Sequence, residues 1–269
     1  EQFQASESQA GLASSIFIVG ALIARIFAGA LIEKIGRKKM LYFGLALFLV
    51  ATFFYFFSGT LSILLLVRFV HGLAFGLSAT AMNTTVMDSL PIERRGEGTG
   101  YFSLSSTAAT AFGPFIGILI LNKYDMNTIF VYAFIMTIIA FGLAFLAKVK
   151  EADLTPEERK LIPVSFKLNH LLSIEVLPIA GLTLLMGVCY ASIMSFINIY
   201  AKEVNLITAG TYFFLIYGAF LFISRPVAGK ILDAKGDNVV IYPAIFMFSI
   251  SLILLSIAGL ARPARTVPR

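Results

Sequence analysis

The feature that most constrains this chain is a series of eight long apolar runs separated by short polar stretches. A helix that crosses a bilayer needs about 20 mostly apolar residues, so each run has the length of a transmembrane helix. The runs cover residues 11–33, 41–58, 62–87, 97–121, 128–147, 171–199, 208–232 and 240–260. They are too long for strands and do not alternate. We therefore expect an all-α, polytopic membrane helical bundle.

The composition supports a lipid-facing chain and argues against an enzyme. Of the 269 residues, 58% are hydrophobic and only 13% are charged, against about 25% charged residues in a soluble domain. The single cysteine excludes an internal disulfide. With two histidines and no HExxH or GxSxG motif, we expect neither an active site nor a metal or other cofactor. No nucleic-acid partner is expected either, because the basic residues follow topology.

Basic residues gather in every second connection between the runs. The second, fourth and sixth connections contain only Lys123 and Lys202. The first, third, fifth and seventh contain Lys34, Arg37, Lys38, Lys39, Arg94, Arg95, Lys148, Lys150, Arg159, Lys160, Lys167, Lys230 and Lys235. By the positive-inside rule, these basic connections lie in the cytoplasm.

One polar pattern occurs twice, each time at the cytoplasmic end of an apolar run. It reads Arg25-x3-Gly29-x3-Glu33-x2-Gly36 in the first copy and Arg225-x3-Gly229-x3-Asp233-x2-Gly236 in the second. A repeated helix-loop-helix pattern in a membrane chain predicts two pseudo-symmetric halves, an architecture found mainly in secondary transporters. Arg25 and Arg225 either extend to the membrane interface or have equivalent gating roles.

The first copy contains residues that are expected to interact. Glu33 and Arg37 are four residues apart and can pair on one helix face, and Asp88 is the expected third member. Gly36 permits a tight turn, and Gly29 allows a neighbouring helix to approach closely. The alternative is a solvated basic loop that only sets topology.

The segment 29–39, which we call the first signature, resembles a signature of the major facilitator superfamily. That signature, Gly-x3-Asp-x2-Gly-Arg-Lys/Arg-x-Lys/Arg, lies between the second and third helices, and Glu33 stands in place of its Asp. The resemblance, closest to bacterial drug:proton antiporters, implies that the eight runs are helices two to nine of twelve. It also implies that Gly29, Glu33, Gly36, Arg37 and Asp88 latch the halves in the outward-facing state. The corresponding residues of the second signature, 229–236, are Gly229, Asp233 and Gly236.

A charged residue lies inside the third run. Arg68, His71 and Gly72 share one helix face and resemble the family's fourth-helix signature, Arg-x-x-Gln-Gly-x-Gly, with His71 in the Gln position. A charge within the bilayer normally faces the bundle interior or a water cavity. Arg68 is thus a candidate for solute or proton coupling, or else a buried structural ion. His71 either titrates near neutral pH or takes over the hydrogen bonds of the usual Gln.

The fourth run contains Gly100-x8-Ala109-x3-Gly113-Pro114-x2-Gly117, which resembles the family's fifth-helix antiporter signature. Small residues at 109, 113 and 117 predict tight helix contact, and Pro114 predicts a kink. The resemblance implies export rather than import. The alternative is a general packing motif.

The polar stretches divide the chain into four predicted parts. These are a first half-bundle (1–147, first helix absent), a cytoplasmic linker (148–170), a partial second half-bundle (171–260) and an atypical tail (261–269). We expect the chain to be truncated at both ends. In the linker, Thr155, Pro156 and Glu158 predict the start of a short helix.

The resulting expectation is a monomeric, multi-pass transporter of the cell (plasma) membrane. It moves small amphipathic solutes or drugs outward by alternating access, coupled to protons. The alternatives are a metabolite or sugar importer or facilitator of the same fold, or an inert truncated product. No acidic residue lies near the middle of a run. The proton carrier is therefore in a missing helix, or is His71, or the coupling is not to protons.

Overall fold

The computed structural model describes residues 6–152, 154–162, 174–203 and 205–260. Within these ranges the chain is helical and contains no strand, which confirms the all-α prediction. The α-helices are α1 (Glu7–Ile35), α2 (Arg37–Phe54), α3 (Leu61–Ser89), α4 (Arg95–Lys123), α5 (Met126–Leu146), α6 (Pro156–Leu161), α7 (Leu177–Glu203), α8 (Ile207–Lys235) and α9 (Asn238–Leu260). The predicted tail 261–269 and the end of the linker, 163–170, lie outside the described residues.

The long helices have the dimensions and the surface of membrane spans. Seven of them in the described part of the chain are long and apolar enough to cross a bilayer. The remaining long helix, α4, has 29 residues, which corresponds to about 44 Å at 1.5 Å per residue. Large apolar side chains point outward along these helices; Phe43 and Leu66, for example, are each 63% exposed. Such faces are suited to lipid.

The first signature forms a tighter turn than the spacing of the runs indicates. α1 ends at Ile35 and α2 begins at Arg37, so Gly36 alone separates the two helices. Gly36 has a φ of +98°, a conformation that residues with a Cβ rarely adopt. The connection between the first two predicted runs, residues 34–40, is therefore shorter than the sequence predicts, because Lys38 and Lys39 belong to the first turn of α2.

The chain divides into two compact units, of which the first contains residues 1–89 and 115–173. In this unit α1 and α2 both pack against α3, and α5 packs against α2. Glycines allow the close crossings, since a Cβ at Gly44 would lie 2.8 Å from the Ser78 backbone nitrogen. A small apolar core at the predicted cytoplasmic end consists of Ala28, Ile32, Met40, Leu41 and Ala81.

The second unit contains residues 90–114 and 174–269. Here α8 packs against α7 and α9, and the Tyr217 hydroxyl donates to the Tyr190 hydroxyl at 3.0 Å. The first part of α4 belongs to this unit, although the sequence places α4 in the first half-bundle. The predicted half-bundle boundaries stay a prediction.

The short linker helix begins as its sequence predicts. The Thr155 hydroxyl oxygen accepts the Glu158 N–H at 3.2 Å, and the Glu158 carboxylate accepts the Thr155 N–H at 2.7 Å. This reciprocal pair is a capping box. Only six residues of helix follow, so α6 depends on contacts with the rest of the protein for its stability.

Candidate functional site

Arg37 is the centre of an ion-pair network at the predicted cytoplasmic end of the first unit. Its Nη2 lies 2.8 Å from Glu33 Oε1 and its Nη1 lies 2.6 Å from Asp88 Oδ2. The structure therefore confirms the expected Glu33–Arg37 pair and places Asp88 as the third member. The guanidinium side chain is only 7% exposed, whereas Glu33 and Asp88 are 35% and 43% exposed.

This network joins three helices through one side chain. Glu33 lies near the end of α1, Arg37 is the first residue of α2, and Asp88 lies near the end of α3. A guanidinium group can bind two carboxylates at once because its N–H donors form a rigid planar fork. The longer side chain of Glu33 does not prevent the contact, since both Nε and Nη2 of Arg37 donate to its Oε1.

Gly29 does not have the packing role that the sequence predicts. Within the described residues, no heavy atom lies within 4 Å of a Cβ built on Gly29. The reason is that Gly29 lies on an exposed face of α1, whereas the neighbouring residue Ala28 is fully buried. The close helix approach expected at Gly29 is therefore not found among the described residues.

The second signature binds a helix terminus rather than an arginine. The Asp233 carboxylate accepts the N–H of Gly96 and the N–H of Glu97, each at 2.7 Å. These donors belong to the first turn of α4, where the backbone N–H groups have no intrahelical acceptor. A carboxylate there is stabilised by the helix dipole as well as by the hydrogen bonds. Asp233 thus joins α8 to α4 at the predicted cytoplasmic end.

Two further ion pairs surround this contact. Glu97 lies 2.7 Å from Arg94 and 3.3 Å from Lys230, measured between carboxylate oxygens and side-chain nitrogens. The second signature has lost the basic residues that follow the first one, but Lys230, within the signature itself, supplies a positive charge. Each signature therefore has an ionic network of its own.

One glycine from each of two signatures lies where α4 packs on α8. A Cβ added to Gly229 would collide with the Gly96 carbonyl oxygen, and a Cβ added to Gly100 would lie 2.6 Å from the Arg225 carbonyl oxygen. Gly100 belongs to the antiporter signature and Gly229 to the second signature. The absence of side chains at both positions lets the two backbones approach closely.

The other part of the antiporter signature is not brought to this contact. Gly113, Pro114 and Gly117 lie within α4. Among the described residues, no heavy atom lies within 4 Å of a Cβ built on Gly113 or Gly117. The tight seam expected at these two glycines is therefore not found in the described part of the chain, because they face open space.

Hydroxyl groups between Gly100 and Gly113 satisfy the carbonyls of their own helix. Ser106 and Thr107 both donate to the Ser103 carbonyl oxygen, at 2.8 and 3.1 Å. Arg225 Nη1 donates to the same oxygen at 2.9 Å. Arg225 is thus held against α4 and does not extend to the interface.

His71 lies in a polar chain surrounded by aromatic rings. Its Nε2 lies 3.3 Å from Thr52 Oγ1 and its Nδ1 lies 3.1 Å from the Tyr55 hydroxyl. Thr52 donates its own proton to the Phe48 carbonyl at 2.7 Å, so Thr52 Oγ1 is the acceptor for His71 Nε2–H. Neutral His71 then accepts from Tyr55 through Nδ1. Both ring nitrogens are satisfied, as expected for a residue that replaces a glutamine amide.

Arg68 lies one turn from His71 on α3. Its Nε donates to the Ala13 carbonyl oxygen of α1. The guanidinium is half-buried, and the carbonyl acceptor is a neutral group. The structure therefore brings Arg68 and His71 to one face of α3, where Arg68 contacts a backbone carbonyl of α1.

Similarity to known proteins agrees with this architecture. The model of the Major Facilitator Superfamily matches residues 1–265. The chain is 27% identical over 202 residues to "Multidrug resistance protein MdtL" of Shewanella oneidensis, covering 74% of this chain and 49% of that protein. It is 24% identical over 221 residues to "Staphylopine export protein" of Staphylococcus aureus, covering 77% and 53%. The chain thus spans about half the length of these curated relatives.

Proposed function

Because the chain belongs to the major facilitator superfamily, we propose that it works as a proton-coupled efflux transporter for small amphipathic solutes or drugs. Membership of this family makes the chain part of a membrane transporter with small-molecule substrates. The finer proposal adds the direction of transport, the coupling ion, alternating access, a monomeric state and location in the plasma membrane.

The observation that carries the proposal is the contact of Asp233 with the start of α4. The sequence places α4 in the first half and α8 in the second, so the two 2.7 Å hydrogen bonds join the predicted halves at their cytoplasmic ends. Alternating access requires contacts of this kind, which form in one state and break in the other. We call this contact of Asp233 with the start of α4 the Asp233 gate. Gly229 supports it by close packing, and Gly236 supports it by a turn with φ of +83°.

The Arg37 network supports a second gate, which we call the Arg37 gate. Arg37 is held by Glu33 and Asp88, so the ends of three helices move together. We propose that Gly36 and this network form a rigid cytoplasmic platform for the latch.

Export and proton coupling rest on different residues. Two relatives with export or multidrug resistance in their names support outward transport, as do Gly100, Gly113, Pro114 and Gly117 of the antiporter signature. We propose that Arg68 and His71 form the site of solute or proton coupling. The hydrogen bonds at both His71 ring nitrogens support a hydrogen-bonding role for His71 there over that of a proton carrier.

The test uses the intact transporter in an efflux-deficient bacterium. We expect the wild type to lower the accumulation of a lipophilic dye, and a protonophore to abolish the effect. Asp233→Asn is expected to reduce efflux several-fold, because an amide is a weaker partner for a helix N-terminus than a carboxylate. The matched control is Asp237→Asn, two residues beyond the α8 helix end. Equal efflux in both variants contradicts the gate, and dye uptake instead of efflux contradicts the direction.

A further inference from the structure

The linker that follows α5 is fastened to the first signature by one carboxylate. Glu151 Oε2 accepts the N–H of Arg37 and Glu151 Oε1 accepts the N–H of Lys38, each at 3.0 Å. These are the first two N–H groups of α2, and they have no acceptor within the helix. Gly36, the residue before α2, has no side chain to cap them. Glu151 therefore supplies the cap from more than 100 residues away.

A second charged residue holds the capping carboxylate in place. Arg159 Nη2, on α6, lies 3.0 Å from Glu151 Oε2 and also donates to the Ala152 carbonyl at 3.4 Å. Arg159 and Glu151 are 20% and 34% exposed, so solvent screens this pair only in part. The linker also has an apolar anchor, since Val149 packs against the core formed by the first three helices.

Gly36 leaves the space that this arrangement needs. A Cβ at Gly36 would lie 2.6 Å from Arg159 Nη1 and 3.1 Å from both carboxylate oxygens of Glu151. The glycine of the first signature thus has two separate functions. It permits the positive φ of the turn, and it lets the linker lie directly against it.

We propose that Glu151 is a positioning residue for the Arg37 gate. It holds the backbone of Arg37, while Glu33 and Asp88 hold the guanidinium of the same residue. With Arg159 and Val149 it makes the described part of the linker, residues 148–152 and 154–162, part of the same rigid body as the ends of α1, α2 and α3. The linker then transmits its own position to the turn that carries Arg37. This role does not depend on which solute is moved.

We call the contact of Glu151 with the start of α2 the clamp. Hydrogen–deuterium exchange tests this contact directly. Among the described residues, Glu151 is the acceptor for the Arg37 and Lys38 amides. In the purified intact protein, Glu151→Gln is therefore expected to speed their exchange by about tenfold. In Arg159→Gln the Glu151 carboxylate still accepts both amides but has lost its ion pair with Arg159. We expect the exchange rate of the two amides to increase by about threefold. The control is Glu157→Gln, an exposed glutamate on α6, which should leave these amides unchanged.

The double variant Glu151→Gln/Arg159→Gln separates a joint clamp from two independent effects. If the two residues act together, its exchange matches that of Glu151→Gln alone. Peptides from the middle of α3 should keep their protection in every variant, which excludes general unfolding. Unchanged exchange at Arg37 and Lys38 in Glu151→Gln, or the same acceleration in Glu157→Gln, overturns the proposal.

Transport provides the functional readout. Glu151 does not line the membrane-spanning part of the chain, so Glu151→Gln is expected to lower the maximal transport rate several-fold and leave KM unchanged. A raised KM with an unchanged maximal rate overturns the positioning role. If the wild type moves no dye, the proposed efflux function fails, but the exchange experiment still decides the clamp.

Discussion

Asp233 and Gly96 are 137 positions apart in the sequence, yet a 2.7 Å hydrogen bond joins the carboxylate of one to the backbone N–H of the other. The equivalent residue of the first signature, Glu33, binds the Arg37 side chain instead. The two copies of one sequence pattern therefore hold their helices by different chemistry. One uses an arginine four residues away, and the other uses the dipole of a distant helix.

Gly100→Ala is expected to destabilise the protein, whereas Gly113→Ala in the same helix is not. A Cβ at position 100 would lie 2.6 Å from the Arg225 carbonyl, while a Cβ at 113 meets no described atom within 4 Å. Alanine gains about 1 kcal/mol over glycine in a helix, so the Gly113 variant should be neutral or slightly more stable. Overpacking at Gly100 is expected to cost about 1–3 kcal/mol. Thermal melts followed by circular dichroism measure both, and the reverse order would contradict the α4–α8 contact.

Arg37→Gln is expected to destabilise the protein by about 1–3 kcal/mol, which is less than the penalty for breaking a fully buried pair. Glu33 and Asp88 lose their shared cation, but both are more than a third exposed, so water compensates in part. Lys39→Gln removes the same charge from an exposed position of the same helix and should have little effect. Comparing the unfolding midpoints of the two variants is the measurement; equal midpoints rule out a structural role for the network.

His71→Gln is expected to be tolerated, and His71→Leu is not. A glutamine side chain has a donor and an acceptor for Thr52 and Tyr55, which now bond to the two ring nitrogens. Leucine leaves the two hydroxyl partners, which belong to buried residues, without that contact, at a cost of about 1–3 kcal/mol. Unfolding midpoints compare the stabilities, and dye efflux with a protonophore control compares the coupling. If His71→Gln folds but loses proton-driven efflux, His71 carries the proton and the hydrogen-bonding interpretation fails.

The clamp at Glu151 is expected to weaken in acid. Burial raises the pKa of the Glu151 carboxyl, but hydrogen bonds from Lys38, Arg159 and Arg37 outweigh it, so the pKa lies below its ordinary value of 4.5. A lowered pKa in the folded state means that the stabilisation is complete above that ordinary value and is lost as pH falls through the folded-state pKa. The pKa of Glu158, in the capping box of α6, is lowered in the same direction by its hydrogen bonds with Thr155.

The measurement is the difference in unfolding midpoint between the wild type and Glu151→Gln across a pH series. The difference should be constant near neutral pH and shrink in acid, because the wild-type carboxyl is then protonated and resembles the amide. A difference that grows as pH falls would contradict the direction of the pKa shift. Glu157→Gln should show no such pH dependence.

Several features could be predicted from the sequence because they depend on residues close together in the chain. The apolar runs predict the helices, and the spacing of Glu33 and Arg37 predicts their ion pair. The order of Thr155 and Glu158 predicts the capping box of α6. Asp88 was expected beside Arg37 from the family resemblance and from its place at a cytoplasmic helix end, and the structure places it there.

Glycine positions show where such prediction ends. The small-residue patterns at Gly29, Gly113 and Gly117 indicate that a helix can approach closely, but they do not indicate which helix does so. In the described part of the chain, close approaches occur at other glycines, among them Gly44, Gly100 and Gly229. No local pattern predicts that Gly100 faces the backbone of Arg225.

By itself, the sequence determined that this chain is a set of membrane-spanning helices, where each helix begins and ends to within a few residues, and which charges pair within one turn. Only the tertiary structure decided that Asp233 binds the start of α4 and that Glu151 binds the start of α2. The physical reason is that helix formation and pairing at four-residue spacing are local. An unsatisfied N–H group at a helix terminus can donate to any carboxylate, and only the packing of the helices determines which carboxylate reaches it.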